Sequence, residues 1–217
     1  MESNISIVIV TWNNEKDISE CLESVFNQSY NNFQVILVDN NSTDNTVSIV
    51  SEKFPKVTVL KQDSNKYLAP ANNIGIRYAI GNFNSEYVLV LNPDTKVESN
   101  LLEVLHKTIS KDERIGAVGP KVNFYKNQND GLINSVGLIF DGFNKAYDIG
   151  YMEEDKGQYN SREEIFWASG AAFFIRRTLW NEMAGFDADF FAHMEEIDLC
   201  WRLKNAAYKI KIGRAHV

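Results

Sequence analysis

The sequence predicts an α/β protein: one domain with a mostly parallel, Rossmann-like central sheet and helices on both faces. Three observations carry this. The first hundred residues alternate short β-branched apolar runs with segments of helical period, the rhythm of right-handed βαβ crossovers. The apolar runs are nearly continuous rather than alternating, as in strands covered on both faces. The 217 residues, 44% hydrophobic and 24% charged, suit one soluble domain with a full core.

The elements follow in order. ISIVIV (residues 5–10) is the first strand, and Thr11, Trp12, Asn13 and Asn14 break it. Asn14 is a candidate cap for a helix whose Ile18, Leu22, Val25 and Phe26 fall at helical spacing. FQVILV (33–38) is the second strand and ends on Asp39; the NNSTDN that follows is rich in turn and cap formers. Val47, Ile49 and Val50 mark a second helix, and VTVL (57–60) a short third strand. A helix near 71–80 leads into the fourth strand, 87–91. Beyond residue 100 the rhythm changes. Leu101, Leu102, Leu105 and Ile109 mark a helix, but 115–151 breaks short apolar runs with Gly, Asn and Asp, predicting strands and hairpins. WASGAAFFIRR (167–177) reads as another central strand, and a helix over 194–205 comes last. There is no internal repeat, low-complexity segment or long linker. Residues 1–217 thus read as one domain, with a nucleotide-binding half (1–100) and a differently built half (101–217).

The formal net charge of −7 argues against a nucleic-acid partner. An anionic ligand would need a local positive feature, such as a helix N-terminus or a bound cation. Cys21 and Cys200 lie in apolar helical patterns, which predicts reduced core cysteines in a cytoplasmic protein. The three His are scattered, so a structural zinc site is not expected. No apolar run approaches a membrane span, and SNISIVIVT reads as a first strand rather than a signal segment.

In open α/β sheets, ligands bind beyond the carboxyl ends of the strands. Three polar elements fall there: Thr11 to Asn13, Asp39, and the Asn92-Pro93-Asp94 of LVLNPDTKV. Asp and Pro are ordinary turn residues, so a strand-ending turn is one reading of that last stretch. TWNNEKD after the first strand has no glycine, so neither a dinucleotide-binding turn nor a P-loop is present. Something else must neutralise phosphates, and a divalent cation on Asp94 would do so.

ISIVIVTWNNEKDISECLESVFNQSY, VILVDNNSTDNT, NPDT and FDADFFAHMEEIDLCWRL, in that order, resemble an inverting family 2 glycosyltransferase. The NPDT version is most similar to bacterial rhamnosyltransferases of surface-polysaccharide assembly. The resemblance covers nearly the whole chain. Each motif alone is weak, and their order on alternating strands and helices carries the argument. It implies a GT-A fold, a nucleotide-sugar donor (dTDP-rhamnose or a UDP-sugar) and Mg²⁺ or Mn²⁺. It also implies a glycan or lipid-linked glycan acceptor taken by residues 101–217, with peripheral association at the cytoplasmic membrane face.

The resemblance further implies roles. Thr11 and Asn13 would line the nucleotide pocket and Asp39 would hydrogen-bond the base, with Asn41 and Ser42 as turn residues near the ribose. Asn65, Asn72 and Asn73, in NKYLAPANNIGIRYA, match a segment shaping the donor pocket, and equally suit helix and loop amides. The family's metal motif usually has two acids flanking one residue; here Asn92 replaces the first, leaving Asp94 as the metal carboxylate. Trp167 and Gly170 match the acceptor side, although Trp167 equally suits the core. In MEEIDLCWRL the family commonly has Glu-Asp, and its second acid, the general base, corresponds to Glu196. Glu195 and Asp198 share a helical face on the acceptor side, and Asp198 can instead pair with Arg202. The chain is expected to be C-terminally truncated relative to the family, with His216 slightly early for a family His that holds metal or diphosphate. Two other functions stay open: an inactive sugar-nucleotide-binding domain, and a sugar-phosphate nucleotidyltransferase, for which TWNNEKD lacks the required glycine- and Arg-rich loop.

Overall fold

The computed structural model describes residues 3–126, 128–140, 146–161, 163–190 and 193–217. In the first half, β1 (Ile5–Thr11), β2 (Phe33–Asp39), β3 (Thr58–Lys61) and β4 (Tyr87–Leu91) are parallel, in spatial order β3-β2-β1-β4. Between them run α1 (Ile18–Phe26), α2 (Thr46–Lys53) and α3 (Leu68–Phe83). After α4 (Leu101–Ile109), β5 (Ile115–Asn123) extends the sheet. Short strands follow: β6 (Ile133–Ser135), β7 (Leu138–Phe140), β8 (Ala146–Asp148) and β9 (Glu164–Ile165). Then come β10 (Ala172–Arg176), α5 (Arg177–Glu182), α6 (Glu195–Asn205) and β11 (Lys209–His216). The sheet continues β4-β10-β5-β11-β9, with β10 and β9 antiparallel to their neighbours.

The continuous apolar runs are explained by two cores. Ile5, Ile7 and Ile9 pack on one face with α1 and α4, while Val8 and Val10 pack on the other with α3 and α6. The same period of two divides Leu89 and Leu91 from Val88 and Val90, and Phe174 from Phe173 and Ile175. Gly75 sets the depth of α3, since a Cβ there would stand 2.5 Å from Val8 Cγ1 and 2.8 Å from Val38 Cγ2. α3 starts at Leu68, earlier than the helical period suggested, with Pro70 in the first turn, where a missing N–H is tolerated.

Three expectations are corrected. Asn14 does not cap α1, whose first residue is Ile18. Its side chain turns back to accept Thr11 Oγ1 and Trp12 N–H, both at 3.0 Å. The strand expected over 167–177 begins only at Ala172, because 168–171 forms the approach to the site. The 194–205 helix is not last: β11 follows it and pairs parallel with β5. No helix among the described residues is long and apolar enough to cross a membrane, and both cysteines are buried and unpaired.

Candidate active site

The parallel register puts Thr11 level with Asp39, and Ile9 level with Leu91. The polar residues after β1, β2 and β4 therefore emerge at one sheet edge. They surround an open cleft of about 620 Å³. Thr11, Trp12 and Asn14 form one wall, and Asn92, Pro93 and Asp94 another. The third comes from Asn40 and from Asn65, Tyr67 and Leu68 before and at the start of α3.

The expected donor residues divide. Thr11 and Asn92 line the cleft. Asn13 braces its rim: with φ at 56°, its Oδ1 accepts Thr43 N–H at 2.8 Å and its N–H donates to Ser42 Oγ at 2.9 Å. Asp39 is buried, and its carboxylate accepts Ser42 N–H at 3.2 Å, tightening the loop. Asn41 is exposed in a left-handed turn, φ 66°. Asn73 donates to Phe186 O at 2.8 Å and accepts Phe186 N–H at 3.1 Å, so its amide serves as a strut between α3 and the α5–α6 loop. Trp12, Asn40 and Tyr67 were not singled out from the sequence. The DNN after the second strand and the exposed aromatics beside polar turns are the signals that could have found them.

Asp94 is exposed at the cleft mouth and has no hydrogen bond or ion pair among the described residues. No three His, Cys, Asp or Glu side chains among the described residues gather into a cage. This donor set fits a hard cation of the Mg²⁺ or Mn²⁺ type, which takes one or two carboxylates and completes its shell with phosphate oxygens and water. His216 lies elsewhere, its Nδ1 2.7 Å from Glu98 Oε1.

The second half reaches this edge through Tyr125 and Lys126, which line a pocket with Asp94, and through the segment before β10. Asn92 N–H donates to Ala171 O at 3.0 Å. The next residue back, Gly170, faces Glu196 so closely that an added Cβ would stand 3.1 Å from its Oε1. Glu196 Oε2 is buried without a hydrogen-bond partner among the described residues. Burial pushes the Glu196 carboxyl from 4.5 up to about 7, and the charges of Glu195 and Asp148 act in the same direction. Glu195 is also buried and raised, chiefly by desolvation. A carboxylate that changes protonation near neutrality can move a proton there.

The other acceptor-side expectations resolve differently. Trp167 is 3% exposed and belongs to the core, so it offers no face to a sugar. Asp198 takes the ion-pair alternative: its Oδ2 lies 2.6 Å from Arg202 Nη2. Arg202 also donates to Met183 O and, at 2.8 Å, to Gly185 O. With Asn73 on Phe186, this makes a latch that ties α6 and α3 to the 183–186 loop.

The cleft thus carries an exposed carboxylate at its mouth, and the segment hydrogen-bonded to Asn92 packs on a buried carboxyl of raised proton affinity. The chain belongs to glycosyl transferase family 2, whose model matches residues 6–184. It is 32% identical over 134 residues to glycosyltransferase GlyG of Streptococcus pneumoniae, covering 60% of this chain and 42% of that one. It is 24% identical to the low-salt glycan biosynthesis hexosyltransferase Agl10 of Haloferax volcanii, over all of this chain and 66% of that one. It is 25% identical to the N-acetylglucosaminyl-diphospho-decaprenol L-rhamnosyltransferase of Mycobacterium tuberculosis, over 96% and 73%. The chain thus spans from under half to about three quarters of these relatives' length. Among solved structures, S. aureus TarS 1-349 in complex with UDP superposes with a TM-score of 0.70 at 17% identity, over 99% of this chain and 60% of that one. Mannosyltransferase PcManGT from Pyrobaculum calidifontis, with GDP-Man and Mn²⁺, gives 0.69 at 19%, over 100% and 57%. At such identities these structures speak for the fold.

Proposed function

We propose that this family 2 glycosyltransferase is a metal-dependent inverting enzyme that moves a sugar from a nucleoside-diphosphate donor to a hydroxyl of a glycan acceptor. Residues 1–100 hold the donor, and residues 101–217 present the acceptor and the base. Thr11, Asn92 and the rim braced by Asn13 and Asn41 enclose the donor, with Asp39 beside the base and Asn73 supporting α3. Asp94, with Asn92 as a neutral neighbour, holds Mg²⁺ or Mn²⁺. A cation there offsets charge on the departing diphosphate. Glu196 takes the proton of the attacking hydroxyl as the new glycosidic bond forms opposite the leaving group. Gly170 leaves room beside that carboxylate, and the charge of Glu195 helps keep its proton affinity high.

The observation that carries the reading is the link Asn92–Ala171–Gly170–Glu196, which joins the cleft to a buried carboxyl whose pKa is pushed to about 7. The M. tuberculosis relative, named for L-rhamnosyl transfer to a diphospho-decaprenol-linked sugar, favours a rhamnose donor and a lipid-linked glycan acceptor; we take the donor as dTDP-rhamnose, the product as envelope polysaccharide and the place as the cytoplasmic membrane face. The UDP-bound neighbour keeps a UDP-sugar as the other donor. Release of nucleoside diphosphate from dTDP-rhamnose, UDP-sugars and GDP-mannose, with and without Mn²⁺, tests it. Release from one donor that needs the cation and disappears in Glu196→Gln is expected. Absence of both binding and release across the panel would overturn the proposal.

A further inference from the structure

Tyr67 occupies a backbone conformation that side chains avoid. Its φ is 63° and its ψ −177°, a region populated almost only by glycine. The conformation is pinned from three sides. Tyr67 N–H donates to Asn65 Oδ1 at 2.8 Å, and Tyr67 O accepts Asn40 Nδ2 at 3.1 Å. Asn40 is itself buried, with its N–H on Thr11 O at 2.8 Å and its Oδ1 accepting Lys66 N–H at 3.3 Å. Downstream, α3 begins at the next residue and is seated on β1 and β2 through Gly75. The helix cannot slide to relieve the turn.

Glycine would meet every one of these backbone constraints without strain. The phenol ring does not repay the strain by core burial, since the residue is 54% exposed. It stands in the cleft wall, as does Trp12, which is 56% exposed. Two half-exposed aromatic rings in one polar cleft suit a planar ligand group. The position along the cleft says which group. Tyr67 is latched to Asn40 at the end of β2, whereas Asp94 sits at the end of β4, with β1 between them. The diphosphate end lies toward Asp94, so the Tyr67 end takes the nucleoside.

We infer that Tyr67 is a specificity-determining residue of the donor site, kept in a strained turn so that its ring packs on the nucleoside of a nucleoside-diphosphate sugar. This rests on the donor-cleft reading above.

The test is calorimetric titration of UDP, dTDP and GDP, and of inorganic pyrophosphate, in the presence of Mg²⁺. Wild type, Tyr67→Gly and Tyr67→Phe are compared, with melting temperatures measured alongside. Tyr67→Gly is expected to raise the Tm by a few degrees. It should weaken the preferred nucleoside diphosphate at least about tenfold, the scale of one lost stacking contact, and leave pyrophosphate affinity unchanged. Tyr67→Phe should bind within about threefold of wild type. A lowered Tm in Tyr67→Gly with unchanged nucleotide affinity would overturn the inference alone, making Tyr67 a structural residue. Equal weakening of nucleotide and pyrophosphate would overturn the nucleoside assignment. If wild type binds none of the three nucleotides, the donor-cleft reading fails and takes this inference with it.

Discussion

Replacing Glu196 by Gln should stabilise the protein above neutral pH while disabling it. Burial lifts the carboxyl from 4.5 in the unfolded chain to about 7 in the fold. Between those values the native chain keeps a proton that the unfolded chain has released. Raising the pH through that window therefore weakens the fold, and the loss is complete once the pH passes about 7. At roughly 1.4 kcal/mol per tenfold change in proton affinity, the full loss is about 3 kcal/mol at pH 8 and below about 1 kcal/mol at pH 5. Gln cannot ionise, so its advantage over wild type should grow by about 2 kcal/mol between pH 5 and pH 8. That corresponds to a Tm difference of about 4 to 8 °C for a chain of this size.

Gln also leaves amide atoms near the buried position of Oε2, so the pH-dependent part of the difference is the readout, not its absolute offset. Melting curves of both proteins at pH 5 and pH 8 measure it. On the proposed mechanism the same carboxyl is the base, so kcat/KM should rise about tenfold per pH unit below about 7 and level off above. Glu196→Gln should lose a factor of roughly 10² to 10⁴ in turnover with donor affinity preserved. A wild-type activity break near pH 4.5, or a Tm difference that does not change with pH, would refute the claim that burial tunes this residue.

Asp94→Ala should abolish metal-dependent turnover, whereas Asn92→Ala should keep at least about a tenth of it, because an amide oxygen is a weaker cation ligand than a carboxylate; a Mn²⁺ titration of activity separates them. Asp39→Ala should weaken nucleoside-diphosphate binding measured by calorimetry, and should also lower the Tm because Ser42 N–H loses its acceptor. Equal affinity would confine Asp39 to the loop. Gly170→Ala puts a methyl 3.1 Å from the Glu196 carboxylate and should cut single-turnover rates about tenfold with little change in Tm. Arg202→Ala strands two carbonyls and the Asp198 carboxylate and should lower stability by about 2 to 3 kcal/mol in urea unfolding, with donor affinity preserved.

The first half was legible because its strands are buried on both faces and its crossovers are short. Continuous runs such as ISIVIV and YVLVL can only be central strands, and the polar residue after each then marks the ligand edge. That rule put Thr11 to Asn13, Asp39 and Asn92 to Asp94 at the edge, and the family resemblance supplied the roles proposed for them. Asn73 and Asp198 matched family motifs, yet their hydrogen bonds spend both on the latch around 183–186, because an amide or carboxylate near a site has the same sequence signature as one supporting it. Trp167 was ambiguous for a similar reason: a large aromatic beside small residues reads as a sugar platform or as core, and only its burial decides. Tyr67 was invisible because no local pattern announces a non-glycine residue in a glycine conformation. β11 was weighed only as a last strand that could carry His216, because KIKI alternates polar with apolar, the pattern of a strand outside the fully buried centre.

The antiparallel direction of β10 brings the second half to the edge where the cleft opens. β10 runs between β4 and β5, with Ala172 paired to Leu91 at the carboxyl end of β4. Residues just before β10 therefore emerge at the same edge as Asn92. Had β10 been parallel, that approach would lie at the far edge, displaced by the length of a five-residue strand, about 17 Å at 3.3 Å per residue. Ala171 could not then accept the Asn92 N–H, and Gly170, packed against Glu196, would lie away from Asn92. On the proposed mechanism, the nucleotide half alone would offer phosphate neutralisation without a base, and α6 alone a base without a donor. Because β10 is hydrogen-bonded on both sides, to β4 and to β5, the chain leaves Leu91 and enters Ala172 from one fixed pair at the centre of the sheet. On the proposed mechanism, proton transfer must meet a leaving diphosphate in one transition state, and a hydrogen-bonded sheet edge orients the segments that carry the two.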